Sequence, residues 1–283
     1  MKKGKLIKKL NSIFLKSILI LATTVFVNSV YAAPFAFSAD GDAVGGNLYQ
    51  IDLANNSITT IGPITGFRVE AMTVGPNSII YAATDNTDEL ITINTTTGAG
   101  TVIGSLSPPP SNPGLAYCAD NNNMYMVDSG SLYSVNLATA NLTLIGTDVN
   151  YSGSTGLACS GNGQLYVLNN SSDSLYRVNR TTGAATLVGS LGITISDGGL
   201  TFNGSQLLMV SDNSPTNLNA LNTSTGAATV LAQLDASGLS LESLTVAALS
   251  NAQDIPTLSE WALILLVLSL GLLGFSVTRK QNQ

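Results

Sequence analysis

The sequence predicts an all-β fold, a five-bladed β-propeller, and two observations support this class. A stretch of Leu, two variable residues, an aliphatic residue and Asp or Asn occurs five times, at intervals of 42 or 43 residues. A period of this length, built only from short strands, is typical of propeller blades. In addition, no helical periodicity of useful length occurs between residues 34 and 250. The copies begin at Leu48, Leu90, Leu132, Leu175 and Leu218.

Each repeat contains the four short strands that a blade requires. Runs of Val, Ile, Leu, Tyr and Thr alternate with breaks rich in Asn, Asp and Gly, which are the residues that favour tight turns. In the third repeat these runs are 115–118, 124–127, 132–136 and 142–145. The repeat style over residues 34–250 resembles that of many bacterial secreted propeller proteins, a resemblance that implies the fold and no single activity.

The two ends of the propeller are predicted to meet in one sheet. The innermost strand of each blade is marked by an anchor residue, and these anchors are Met72, Leu115, Leu157, Leu200 and Leu244. The first blade lacks such a strand, because it opens with 35–38, which matches the second strand of the others. The missing strand occurs at the far end, at 242–247, so we expect it to pair with the segment that begins at Phe35. Closure of this kind removes exposed sheet edges.

The N-terminal residues 1–32 are predicted to be a secretory signal peptide. Six lysines precede or enter an apolar stretch from Ile13 to Val27, and Val30 and Ala32 are the small residues expected before a cleavage site. Export by the Sec machinery and removal by signal peptidase follow from this interpretation. The alternative is an uncleaved anchor, but the apolar stretch is short for a membrane span.

The C-terminal residues 251–283 contain a second targeting segment. A polar motif at 255–261 precedes an apolar run at 262–278, predicted to be a transmembrane helix, and a basic tail at 279–283. The segment resembles the IPTL-CTERM sorting signal of Gram-negative bacteria, although Ala262 stands where that family usually has Gly. The resemblance implies recognition by an exosortase-type membrane protease and delivery of the body to the cell envelope or beyond. The alternative is a simple anchor. The motif residues are Ile255, Pro256, Thr257, Leu258, Ser259, Glu260 and Trp261.

Composition excludes several classes of function. Between residues 33 and 250 the chain has three arginines against fifteen Asp and Glu, a net charge of −12, which makes nucleic acid a poor partner. The chain has no His and no Lys between residues 16 and 280. Histidine-based nucleophile systems, His-ligated zinc and Schiff-base chemistry are therefore excluded. Any catalysis would have to use carboxylates, Tyr or a bound cation, and we expect no cofactor.

Acidic residues are concentrated in the loops between second and third strands, which share a face with the loops joining the blades. This rim either holds Ca²⁺ or a cationic ligand, or consists of turn residues that satisfy nearby backbone N–H groups. Glu70 and Glu242 each lie two residues before an anchor, in blades that closure makes neighbours, so their carboxylates are predicted to converge. Similar placements serve as cation ligands in lactonase-type propellers, which have more blades. The loop acids are Asp40, Asp42, Asp85, Asp88, Glu89, Asp128, Asp173 and Asp212.

Cys118 and Cys159 are the only cysteines, and both lie on first strands of adjacent blades. They stand three and two residues after their anchors, which points the side chains to opposite faces of equivalent sheets. Facing surfaces of neighbouring blades could still bring them together. Two buried thiols or one disulfide therefore remain open, and the offset favours the thiols.

Two classes of function fit the sequence. The first is a non-enzymatic binding or structural module at the cell envelope, whose ligand is a polysaccharide or a protein. The second is a hydrolase or lyase that uses a cation at the acidic rim, with Glu70 or Glu242 as the base. The first is preferred, because the sequence offers no nucleophile–base pair.

Overall fold

A computed structural model describes residues 35–235 and 239–247. All of these residues belong to one compact unit. The predicted signal peptide, sorting motif, transmembrane helix and basic tail lie outside the described residues. Within those residues, no helix is long and apolar enough to cross a membrane.

Five four-stranded antiparallel sheets form the propeller, as the repeat count predicts. Of two short 3-10 turns, Pro76–Ser78 lies within the second sheet and Val149–Tyr151 connects the third sheet to the fourth. Blade 1 contains β1 (Phe35–Ala39), β2 (Asn47–Asp52), β3 (Ser57–Pro63) and β20 (Thr245–Ala247). Blade 2 contains β4 (Val69–Val74), β5 (Ile80–Thr84), β6 (Glu89–Ile93) and β7 (Gly100–Ser105). Blade 3 contains β8 (Gly114–Cys118), β9 (Asn123–Asp128), β10 (Ser131–Val135) and β11 (Leu142–Thr147). Blade 4 contains β12 (Ser154–Cys159), β13 (Leu165–Asn169), β14 (Ser174–Val178) and β15 (Ala185–Ser190). Blade 5 contains β16 (Leu200–Asn203), β17 (Gln206–Val210), β18 (Thr216–Leu221) and β19 (Ala228–Asp235).

The hydrophobic core is divided among the five joints between neighbouring blades. Five buried clusters occur, and each combines residues from two adjacent blades. At the joint between blades 5 and 1, for example, Leu208 and Leu218 pack with Ala36 and Ile51. The middle strands are buried on both faces, whereas the outermost strands are largely exposed. Each blade thus buries its apolar side chains only because it has a neighbour on each side.

The predicted closure of the ring is confirmed. β20 pairs antiparallel with β1, with Phe35 opposite Ala247 and Phe37 opposite Thr245. The closing strand is shorter than the predicted 242–247, because the side chain of Ser243 replaces a regular ladder contact. The backbone N–H of Ala39 donates to Ser243 Oγ at 3.1 Å. The ring is therefore closed by the pairing of β20, by the side chain of Ser243, and by a further antiparallel backbone bridge between Asp40 and Leu241.

Threonine side chains join the innermost strands of neighbouring blades. The backbone N–H of Val74 in blade 2 donates to Oγ1 of Thr245 in blade 1 at 2.8 Å. One blade further on, the N–H of Tyr117 donates to Thr73 Oγ1 at 3.1 Å. Innermost strands of different blades belong to different sheets, so their facing N–H groups need such side-chain partners. Thr201, at the same position in blade 5, makes no side-chain hydrogen bond among the described residues.

Two glycines of the repeat are explained by a close backbone contact at the blade joints. One is the second-last residue of the outermost strand, as Gly146 is in blade 3, and the other lies in the outer turn of the next blade, as Gly183 does. A Cβ on Gly146 would lie 2.0 Å from the carbonyl oxygen of Thr182, and a Cβ on Gly189 would lie 2.0 Å from that of Thr225. Gly183 also has a φ of +74°, which favours glycine.

Cys118 and Cys159 form a disulfide, with their Cα atoms 5.4 Å apart. The preference for two thiols was therefore wrong. Cys118 points from blade 3 towards blade 4, and Cys159 points from blade 4 back towards blade 3. In two consecutive blades, one face of the first sheet packs against the opposite face of the second sheet, and these two faces form the joint between the blades. The odd offset thus brings the cysteines together.

Candidate functional site: the acidic mouth of the channel

The innermost strands leave almost no open channel along the axis of the propeller. The residues directly before the anchors are all small, and glycines at these positions touch the neighbouring strand. A Cβ on Gly199 would lie 2.1 Å from the backbone nitrogen of Leu244, and one on Gly114 would lie 2.8 Å from that of Leu157. A ligand can therefore reach only the two ends of the axis, the mouth beside Glu70 and Glu242 and a cavity at the opposite end that is lined by Tyr117, Phe202 and Thr245 among others. The five small residues are Ala71, Gly114, Gly156, Gly199 and Ser243.

Three carboxylates converge at the mouth, and they belong to residues that lie one or two positions before these small residues in the sequence. Glu70, Asp197 and Glu242 each place one carboxylate oxygen so that all three atoms lie within 4.8 Å of one another. Glu70 lies at the start of β4, and Glu242 lies three residues before β20. They are only 5% and 8% exposed. The structure thus brings together the two glutamates that the closure argument placed in neighbouring blades.

Asp197 is the member of this cluster that sequence reasoning missed. It lies three residues before the anchor Leu200, one position further out than the glutamates, so the comparison of equivalent positions passed over it. Its Oδ2 accepts from Asn112 Nδ2 at 2.7 Å, and its Oδ1 accepts from its neighbour's backbone, the N–H of Gly198, at 2.7 Å. The amide oxygen of Asn112 is itself buried and has no partner among the described residues.

Among the described residues, Arg68 is the cation that faces this negative charge. Arg68 Nε lies 3.3 Å from Glu70 Oε1, but the same guanidinium also pairs with Asp85. Burial raises the pKa of Glu242 well above its ordinary value, and the neighbouring carboxylate of Glu70 adds to the shift. Burial also raises the pKa of Asp197 to about 7 and that of Glu70 in the same direction. The hydrogen-bonded pair of Glu70 and Glu242 therefore retains a proton to higher pH than an exposed glutamate does.

Most of the predicted acidic rim has another role. Asp128 accepts from the backbone N–H groups of Ser111 and Asn112, each at 2.9 Å, and Asp212 accepts from that of Asp197 at 2.9 Å. Asp173 does the same for Ile195. These carboxylates hold the loops that join the blades, across 15 to 22 residues of sequence.

The other predicted rim acids are also outside the three-carboxylate cluster. Asp85 is paired with Arg68, and Asp40 accepts from the N–H of Asp42 at 3.2 Å. Among the described residues, the other group of potential metal ligands contains the two cysteines, which are bonded to each other. The chemistry available at the mouth is therefore that of carboxyl groups, as proton carriers or as oxygen ligands for a cation.

Two family models match the chain. The IPTL-CTERM motif matches residues 255–281, which supports the sorting signal identified from the sequence. A repeat of unknown function, DUF6923, matches residues 36–148, within the propeller. No curated protein matches the chain.

The chain is similar to proteins of known structure. A chain of a nidogen/laminin complex is 11% identical with a TM-score of 0.53, and the match covers 76% of this chain and 98% of that one. A structural genomics protein of unknown function from Bacteroides thetaiotaomicron is 20% identical with a TM-score of 0.49, and covers 69% of this chain and 54% of that one. At such identities the first likeness concerns the propeller fold alone.

Proposed function

We propose that this chain is an exported, envelope-associated propeller that acts as a non-enzymatic binding or structural module. Its export and sorting are supported by the C-terminal motif, which is typical of proteins handled by an exosortase-type membrane protease. The disulfide between Cys118 and Cys159 is consistent with an oxidising compartment outside the cytoplasm. The ligand is an envelope polysaccharide or protein.

The observation that carries the binding role is the closed axis of the propeller. Glycines pack the innermost strands against one another, so the axis is blocked, and the space beside Glu70 and Glu242 is too small to surround a substrate. The loops on the mouth face are held in place by carboxylate-to-backbone hydrogen bonds such as those of Asp128 and Asp212. A rigid face built from short polar loops suits recognition of a partner surface.

Mass spectrometry of the mature protein, purified from its native membrane, tests the export and sorting part. We expect a mature N-terminus at Ala33 and loss of the segment that follows the motif. A chain in which Pro256 is replaced by Ala should keep its C-terminal segment and accumulate in the inner membrane. Full-length chains at both ends, in wild type and variant alike, would contradict this proposal.

A glycan array and a pull-down from envelope extracts test the binding part, with the mature wild-type protein as the probe. Saturable binding to one polysaccharide or protein is expected, and its loss on charge reversal at Asp128 or Asp212 would place the ligand on the mouth face. The stability of each variant serves as the control, because both residues hold loops. Turnover of the bound material would contradict a non-enzymatic role.

A second candidate, a cation-dependent hydrolase or lyase, is favoured by the convergence of Glu70, Asp197 and Glu242. In that case a carboxylate acts as the general base beside a bound cation. Hydrolysis of ester and lactone substrates, measured with Ca²⁺ and with a chelator, tests it. Activity that needs Ca²⁺ and disappears in Glu70→Gln would favour the enzyme, whereas inactivity under both conditions would favour the binding module.

A further inference from the structure

We propose that the face of the propeller opposite the acidic mouth binds a neutral polysaccharide. One sugar unit lies in the cavity at that end of the axis, the axial cavity, and the next lies in a pocket at the joint between blades 4 and 5, the joint pocket. Phe202 lines both. This inference rests on the proposed function, because it names the site and the ligand class of the binding module.

The two ends of the axis differ in the space that they offer. The cavity at the mouth, beside Glu70 and Glu242, has a volume of about 10 Å³. The axial cavity has a volume of about 270 Å³ and is lined by the innermost strands of all five blades. The joint pocket has a volume of about 400 Å³. Cavities of roughly this size hold small ligands, so they suit single units of a polymer better than a folded partner.

Aromatic side chains line both cavities. Tyr117 lies in the axial cavity, Tyr166 lies in the joint pocket, and Phe202 lies in both. The rings of Tyr166 and Phe202 meet edge to face, with their centroids 5.7 Å apart. One face of a sugar ring consists of C–H groups, which pack favourably on the electron-rich face of an aromatic ring. Phe202 therefore lies where two consecutive sugar units of one chain would meet.

Threonine hydroxyls supply hydrogen-bond donors to the axial cavity. Oγ1 of Thr245 and Oγ1 of Thr73 each accept from a backbone N–H of the next blade. Each hydroxyl keeps its own O–H as a donor, and neither O–H has an acceptor among the described residues. Thr245 is only 2% exposed, and buried donors normally have a partner. A sugar, which is rich in oxygen acceptors, would supply one.

The surroundings favour a neutral sugar over a charged one. None of the residues that line the two cavities is charged. The turns between first and second strands, which surround the cavities, consist mainly of Asn, Ser and Gly, and their charged residue is Asp120. Arg180 neutralises it, with Nη1 and Nη2 donating to the two carboxylate oxygens at 2.8 and 2.6 Å. An acidic polymer would also be repelled by the excess of acidic residues in the body.

Titration calorimetry of the full chain, in a detergent without a sugar headgroup, tests this inference. The probes are mono-, di- and hexasaccharides of neutral hexoses and of N-acetylhexosamines, with polygalacturonate as the acidic comparison and a fatty acid as the apolar one. We expect a neutral series to bind, with an affinity that rises with chain length, because a longer chain fills both cavities. Tighter binding of the acidic or the apolar probe than of every neutral sugar would overturn the ligand class.

Two substitutions locate the site. Phe202→Leu keeps an apolar side chain beside Tyr166 but removes the aromatic face, so the hexasaccharide should bind about tenfold more weakly. Thr201→Val removes a hydroxyl of the axial cavity without changing its shape. It should weaken binding about fivefold while the Tm stays close to that of wild type. Tyr133→Leu replaces a half-buried aromatic residue of blade 3 that lines neither cavity, and this matched control should bind like wild type.

The outcomes separate this site from the proposed function as a whole. Unchanged affinity in both Phe202→Leu and Thr201→Val, or an equal loss in Tyr133→Leu, would overturn the site. Binding that is instead lost on charge reversal at Asp128 would keep the binding module and move its ligand to the mouth face. A chain that binds no neutral probe but captures an envelope protein would likewise keep the proposed function and overturn this inference.

Discussion

The glycine at the second-last position of the outermost strand in blades 1 to 4 should be intolerant of even one added carbon, and Gly146→Ala tests this most directly. The carbonyl group of Thr182, in the outer turn of blade 4, lies against Gly146 of blade 3. An alanine Cβ would lie 2.0 Å from that oxygen and 2.8 Å from its carbon. The backbone of Gly146 itself has no positive φ, so alanine brings no conformational strain of its own. Any loss of stability therefore comes from the contact.

The expected loss follows from the size of the overlap. A carbon and an oxygen in contact are separated by more than 3 Å, so the two blades must move apart by about 1 Å or deform. Overpacking of this kind costs about 1–3 kcal/mol, and the high end applies because the obstacle is backbone. Alanine also lowers the conformational entropy of the unfolded chain, which stabilises the folded state by about 0.4–1 kcal/mol. The net loss is about 2 kcal/mol, or a Tm lower by about 4–8 °C.

Thermal and urea unfolding, followed by circular dichroism, measure this difference. Gly161→Ala is the matched control, because a Cβ there would meet no atom within 4 Å and its φ is not positive. That variant should equal wild type or be slightly more stable. Equal stabilities of Gly146→Ala and Gly161→Ala would refute the close backbone contact, and with it our explanation of the glycine in the repeat.

Three further predictions concern contacts between blades. The Asp148 carboxylate accepts hydrogen bonds from two backbone N–H groups, which are the main cause of its lowered pKa, so Asp148→Asn should lower the free energy of unfolding by about 1 kcal/mol at neutral pH. A carboxyl group whose pKa is lower in the folded state stabilises the fold at pH values above its unfolded pKa, so the difference from wild type should vanish as the pH falls through the folded pKa. A difference that stays constant in acid would contradict this. Replacing Cys118 and Cys159 by Ala should lower the unfolding free energy by about 4 kcal/mol, because the bond closes a loop of 41 residues, and the double variant should be indifferent to reductant; unchanged stability would show that the bond adds nothing. Thr245→Val should cost about 1–2 kcal/mol by leaving an N–H without its acceptor, whereas Thr201→Val should be close to neutral, and equal losses in these two variants would argue against the threonine contact.

Much of the fold could be predicted because its signals are local. The repeat period, the four strands of each blade and their turns depend on side chains a few residues apart. Asn94 and Asn222, for example, accept from N–H groups two and three residues further on, which fixes each outer turn within one repeat. Closure was also predictable, because the first blade lacks a strand that the far end supplies. It could be inferred by counting strands alone.

The candidate site was predicted in part. Glu70 and Glu242 occupy equivalent positions in blades that closure makes neighbours, so their meeting followed from the repeat. Asp197 did not, because it stands one position out of register and reaches the cluster through its loop. Its contact with Asn112 spans 85 residues of sequence. Nothing in either segment alone indicates that contact.

The sequence by itself therefore determined the number of blades, the order of their strands and the point at which the ring closes, since alternation and turn residues act over a few residues. Only the tertiary structure decided what happens between blades. The disulfide, the three-carboxylate cluster and the backbone contacts of the joint glycines all depend on how closely consecutive sheets approach. That approach is a property of the closed ring, in which five sheets must share one axis and their innermost strands must touch.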